Sequence, residues 1–164
     1  MKWILIGLGV LLAAALFVFQ RNAVKTEYVN GLPEYASLPG REYIFERDCY
    51  ILKLKDANTN WPLVGSHLTV PGLPEKFDPK AVGADLPEVR ILDTVRIGDR
   101  FKIVSVRRDR SRSATRVTFE ILFLDEAKRK YPRLDAYWLL DHGPEAAGKA
   151  PSILASYAVP ARND

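Results

Sequence analysis

The sequence predicts one transmembrane helix followed by a small all-β domain, and three observations carry that prediction. Residues Trp3 to Phe19, WILIGLGVLLAAALFVF, form an unbroken apolar run between Lys2 and the pair Gln20 and Arg21. From Val95 to Phe123, apolar and polar residues alternate with the period of two that a half-buried strand requires. Elsewhere, short strand patterns are separated by Gly, Pro and Asn, with almost no helical signal.

As an α-helix the run is about 26 Å long. That is slightly short of a hydrocarbon core of about 30 Å, and Lys2 and Arg21 can snorkel to cover the difference. A buried core helix would carry polar residues on its solvent side, and this run has none. The alternative is a cleaved signal peptide with Ala13 to Ala15 as the small-residue site. Cleavage there would leave LFVF as an apolar start to the mature chain, which favours a retained anchor. No Cys follows the run to take a lipid. Positive charge is nearly balanced across it: the amino terminus and Lys2 on one side, Arg21 and Lys25 on the other. With a short tail before the anchor, the expected orientation puts the domain outside the cytoplasm, periplasmic or at the cell surface of a bacterium. Gly9 and Ala13 form one small-xxx-small pair that would let two such helices approach.

Residues 1–21 are thus the anchor, 22–42 a stalk, and 43–160 a single β domain. About 140 residues follow the anchor, enough for one domain with a modest core. Charged residues are 27% and aromatics 10% of the chain, a balance that predicts folding over disorder. The one cysteine, Cys49, rules out an intrachain disulfide.

In chain order, Asn22 to Arg41 carries Asn30, Gly31, Pro33, Pro39 and Gly40 and reads as turns. Tyr43 to Lys55 is the first strand, with Tyr50, Leu52 and Leu54 on one face and Ile51, Lys53 and Lys55 on the other. Trp61 to Val70 is a second, bent or at an edge because of Pro62 and Gly65. Residues 71–87 contain Pro71, Pro74, Pro79 and Pro87. Proline lacks the amide donor a ladder needs, so a long surface loop is expected, a tolerated insertion. Leu-Pro-Glu recurs at residues 32–34, 73–75 and 86–88, but its uneven spacing is not that of a structural repeat.

Val95 and Ile97 lead through Gly98 and Asp99 into a strand carrying Phe101, Ile103 and Val106. After a polar tip from Asp109 to Ala114, Val117, Phe119, Ile121 and Phe123 continue the pattern as the second half of a β-hairpin. Asp125 to Lys130, DEAKRK, is at most a short helix with its acids first and its bases last, stopped by Tyr131 and Pro132. AYWLL, Ala136 to Leu140, reads as a short strand, Asp141 to Ser152 as a loop, and Ile153 to Val159 as a last strand.

The segment VRIGDRFKIVSV, followed later by DAYWLL, resembles bacterial SH3-like domains: strand, glycine turn, strand of large apolar residues, then an aromatic-containing strand. The resemblance covers about a third of the domain and implies an SH3-like barrel, or a related barrel or sandwich, acting as a binding or adaptor module on its anchor. An OB-like barrel fits the same pattern. The sequence departs from the family in its proline-rich insertion and in lacking the aromatic groove motif of peptide-binding members, so no ligand residue carries over.

Catalytic chemistry has few candidates. Cys49, His67 and His142 are isolated, and no HxH, HExxH, CxxC, G-x-S-x-G, Walker-type loop or dinucleotide fingerprint is present. No metal site or cofactor is expected. A tethered hydrolase would have to use Cys49 with His67, which requires the fold to bring them together. Cys49 lies in a strand pattern and reads as a small buried hydrophobe, His67 as a strand residue, and His142, beside Asp141, as solvated.

Charge is the strongest signal. Eight bases between Arg96 and Arg116, against Asp99 and Asp109, give this stretch +6 where the whole chain is +4; beyond Lys2, the remainder carries −3. Arg107, Arg108, Arg110 and Arg112 surround the hairpin tip, where paired guanidinium donors suit carboxylates and phosphates. The expected partners are membrane lipid through residues 3–19 and, at the tip, a lipid headgroup, an acidic envelope polymer or an acidic protein. On the cytoplasmic side the same tip would meet anionic lipid or nucleic acid. Nucleic acid is disfavoured because no aromatics are interleaved with these bases. A purely structural role for the arginines is to keep an exposed strand edge from pairing with neighbours.

Overall fold

The computed structural model describes residues 24–55, 61–111, 114–142 and 150–161. Residues 3–19, expected to cross a membrane, lie outside them; among the described residues no helix is long and apolar enough to do so. The described chain is mostly β. Its strands are β1 Lys25–Tyr28, β2 Glu42–Phe45, β3 Cys49–Leu54, β4 Leu63–Gly65, β5 Val89–Val95, β6 Arg100–Arg110, β7 Thr115–Phe123, β8 Leu134–Asp135, β9 Leu140–Asp141, β10 Ser152–Ile153 and β11 Ala158–Pro160.

Nine of these form one sheet in the order β11-β2-β6-β7-β8-β4-β3-β5, with β1 also pairing to β6; β9 and β10 form a separate pair. β6 is long enough to hold two partners on one edge, β2 against Arg100–Lys102 and β1 against Arg107–Arg110. The gap between them is closed by residues 29–41. Val106 donates its N–H to Asn30 Oδ1 (2.6 Å), while Ile103 N–H donates to Arg41 O and Ile103 O accepts from Gly40 N–H. All pairings are antiparallel except β4 with β8. Both ends of the sheet, Ala158 in β11 and Val95 in β5, contribute to one hydrophobic cluster, so the sheet curls around a single main core. Phe45, Phe101 and Phe123 lie at its centre, with ring centroids 4.7 and 6.0 Å apart.

The predicted hairpin is present. Gly98 turns at φ 92°, a left-handed conformation that favours glycine, and the tip falls between Arg110 and Thr115. A β-bulge between Ile103 and Ser105 inserts one residue into β6. Its effect is a change of parity: Phe101 and Ile103 point into the core, then Val106 takes over, and Ser105, Arg107 and Asp109 fall on the outer face.

Five expectations are corrected. The stalk begins with β1, and Val29 and Tyr35 are buried in the main core, so residues from 24 onward belong to the domain. The Tyr43–Lys55 strand is two strands broken at Glu46–Asp48. β4 is neither long nor at an edge; it sits between β3 and β8. Glycine is needed there because a Cβ on Gly65 would meet Val70 Cγ2 at 2.9 Å and Trp138 Cε3 at 3.0 Å. AYWLL forms a 3-10 turn at Tyr137–Leu139 that ends in the two-residue β9.

The proline-rich segment is the fifth correction. Val70 and Leu73 are buried, and Phe77, Ala81, Ala84 and Leu86 pack on the outer face of β3 and β5, with Tyr50, Leu52, Val89 and Ile91 forming a second core. Hence β3 is apolar on both faces over Cys49–Leu52. Tyr50 anchors the cover: its ring stacks on Phe77 at 5.0 Å and its hydroxyl accepts from Asp78 N–H (2.7 Å).

Candidate functional site at the hairpin

The four arginines have different environments. Arg107 is 5% exposed, on the outer face of β6. Its Nε donates to Asp109 Oδ2 (3.1 Å) and its Nη2 to Asp135 Oδ2 (2.9 Å), and Nη1 lies 3.5 Å from Glu120 Oε1. The carboxylates are held in turn: Thr118 and the Tyr137 N–H donate to Asp135 Oδ1, Ser105 and Arg133 to Glu120 Oε2, Tyr28 to Glu120 Oε1, and Thr26 to Asp109 Oδ1. Burial works against the Arg107 charge, but Asp135, Asp109 and Glu120 outweigh it and the guanidinium is held above its ordinary range. Arg107 is therefore the hub of a buried network, with its donors directed inward.

Arg108 is half-buried and faces Glu27 (3.3 Å), Glu34 (3.8 Å) and the Tyr35 hydroxyl (3.4 Å), with its guanidinium over the Tyr35 ring. The bond to Tyr35 is the main reason its charge is held above the ordinary range. Arg110 is exposed and 3.1 Å from Glu27. Arg112 lies outside the described residues. Replacing all four together would thus remove the centre of a folding network as well as a surface.

Sequence reading missed β1, which supplies Thr26, Glu27 and Tyr28 to these arginines, and the partners Glu120 and Asp135. KTEY has no buried residue and no apolar alternation, so no local signal marks it as a strand. The register sets Lys25 opposite Arg110 and Arg116 opposite Asp109, gathering Lys25, Arg110 and Arg116 at the tip end of the sheet. Arg116 lies over the Tyr137 ring (4.1 Å), which also packs against His142 (4.1 Å). His142 is accordingly half-buried, where a solvated ring was expected.

Cys49 and His67 occupy different environments. Cys49 is fully buried in the main core, whereas His67 is exposed just beyond β4. Burial pushes the thiol up to about 12, with Arg47 acting downward and Asp48 upward. This has a measurable consequence. An unfolded thiol titrates near 9.0, so above that pH the unfolded chain releases a proton that the folded chain retains, and stability present below it is lost as pH rises. Chemical denaturation of the full chain at about pH 8 and about pH 10.5 should show the wild type losing about 2 kcal/mol more than Cys49→Ala. Equal losses would refute the assignment. Among the described residues, no group of three or more His, Cys, Asp and Glu is placed to hold a metal ion.

Comparison with models of protein families, with curated proteins and with solved structures finds no match.

Proposed function

We propose that the chain is a single-pass membrane protein, anchored by residues 3–19, whose β domain is a non-enzymatic binding or assembly module outside the cytoplasm of a bacterium. The domain is read as an SH3-like or related barrel, because its sheet wraps one core. The observation that carries the binding reading is the pairing of β1 with β6. It places exposed basic residues at the tip end of the sheet, where the chain arrives from the apolar run.

The alternative is a tethered hydrolase using Cys49 with His67; the burial of Cys49 in the core and the exposed position of His67 favour the binding reading over it. A reporter fused after Asp164 and active on only one side of the membrane tests orientation. Activity on the cytoplasmic side would replace an envelope partner with anionic lipid or nucleic acid. Arg110 and Arg112 changed together to Ser should leave folding intact and weaken association with the acidic partner at fixed salt; unchanged copurification would refute the binding reading.

A further inference from the structure

We propose that the domain stands tip-down on the bilayer, with Lys25, Arg110 and Arg116 set against anionic phospholipid headgroups. This rests on the anchor reading and adds a docking surface to it. Five residues, Gln20 to Val24, separate Phe19, the end of the apolar run, from Lys25, a connection of at most about 20 Å. The tether is therefore short, and the part of the domain it joins is fixed by the register. Lys25 pairs with Arg110, the last residue of β6 before the tip, and Tyr28 pairs with Arg107, further from it.

The surface has the composition of a headgroup contact. Lys25, Arg110 and Arg116 are exposed, and the nearby acids are occupied: Glu27 lies against Arg108 and Arg110, and Asp109 against Arg107. Val24 and Tyr28 are 58% and 54% exposed, and an exposed valine and tyrosine beside bases suit the boundary between water and acyl chains. At the tip Arg110 shares its carboxylate, Glu27, with Arg108, whereas at the opposite end of the hairpin Arg100 and Lys128 each have their own. There Arg100 pairs with Glu42 and Lys128 with Asp99, about 35 Å away along β6. Charge complementarity and tether position thus select the same end.

The test uses the full chain reconstituted in vesicles of phosphatidylglycerol and phosphatidylcholine that contain a headgroup-attached fluorescence quencher. Cys49 is buried, so a thiol-reactive fluorophore reports on Thr115→Cys at the tip end or on Ala127→Cys beyond the far end. Quenching at position 115 should exceed that at 127 by about threefold or more, given a separation near the length of β6. Changing Lys25, Arg110 and Arg116 to Gln, or raising the ionic strength from about 0.1 M to about 1 M, should reduce the excess. Equal quenching at the two positions overturns the proposal. An excess unchanged by the triple variant or by neutral vesicles overturns the headgroup contact and leaves only a tether. Loss of the chain from the vesicles in an alkaline wash overturns the anchor reading itself, and the docking surface with it.

Discussion

Replacing Arg107 with methionine should destabilise the domain by about 3–5 kcal/mol at neutral pH, because it leaves Asp109, Glu120 and Asp135 without their shared cation. Methionine keeps much of the packing volume, so the loss is one of charge. A domain of this size has about 5–15 kcal/mol in total, and the change removes a large share of it. The pH dependence identifies the cause. In the variant the three carboxylates keep their charge and lose the guanidinium they share. Acid neutralises that charge, so the deficit shrinks as pH falls toward about 4. Adding Glu120→Gln to the variant should recover part of the loss at neutral pH, since it removes the least exposed of the three charges. Denaturation midpoints at about pH 4.5 and about pH 7.5 provide the check. A deficit that does not change with pH would mean that Arg107 contributes by packing alone.

The second large effect is expected at Tyr50. Tyr50→Ala should cost about 3–5 kcal/mol, by analogy with other large aromatic truncations, and should loosen one part of the molecule selectively. Tyr50 fills the interface between β3 and the proline-rich cover, stacking on Phe77 and accepting the Asp78 amide. Without it, Lys76 and Lys80, both exposed in that cover, should become fast trypsin sites while β6 and β7 keep their protection from amide exchange. Tyr50→Phe retains the ring and loses only the hydroxyl, a change of about 1 kcal/mol. Cleavage at Lys76 and Lys80 that stays slow in Tyr50→Ala would show that the cover is held by Val70 and Leu73 without Tyr50.

The hairpin was legible in the sequence because its pairing is local and its period is two. Val117, Phe119, Ile121 and Phe123 keep strict alternation, and all four face the core. The Asp125–Lys130 segment was legible too, and Glu126–Lys128 forms a 3-10 turn capped by Asp125. What escaped depends on distant partners. Four closely spaced arginines read as a solvated tip, yet the bulge at Ile103–Ser105 turns Arg107 onto a face where Glu120 and Asp135 come from β7 and β8. The proline-rich segment read as surface because Leu73, Phe77 and Leu86 have no period. Their common target is the outer face of β3, whose burial on both sides showed only as an uninterrupted run, Cys49 to Leu52. β1 left no trace of its own: its strand character comes entirely from the edge of β6.

The seat of β11 on β2 bears on the order in which the fold is completed. The hairpin closes a loop of a few residues, a small entropic cost, whereas Ala158 must find Phe45 across most of the domain. Ribosomes deliver the N-terminal partner first, so β2 carries one unsatisfied strand edge, beside Tyr43 and Phe45, until Pro160 has emerged. A chain interrupted before that point has its core aromatics beside an open ladder, an arrangement that invites pairing with a second nascent copy. Three residues near the end of the sequence, Ala158 to Pro160, therefore act as the closing seam of the sheet.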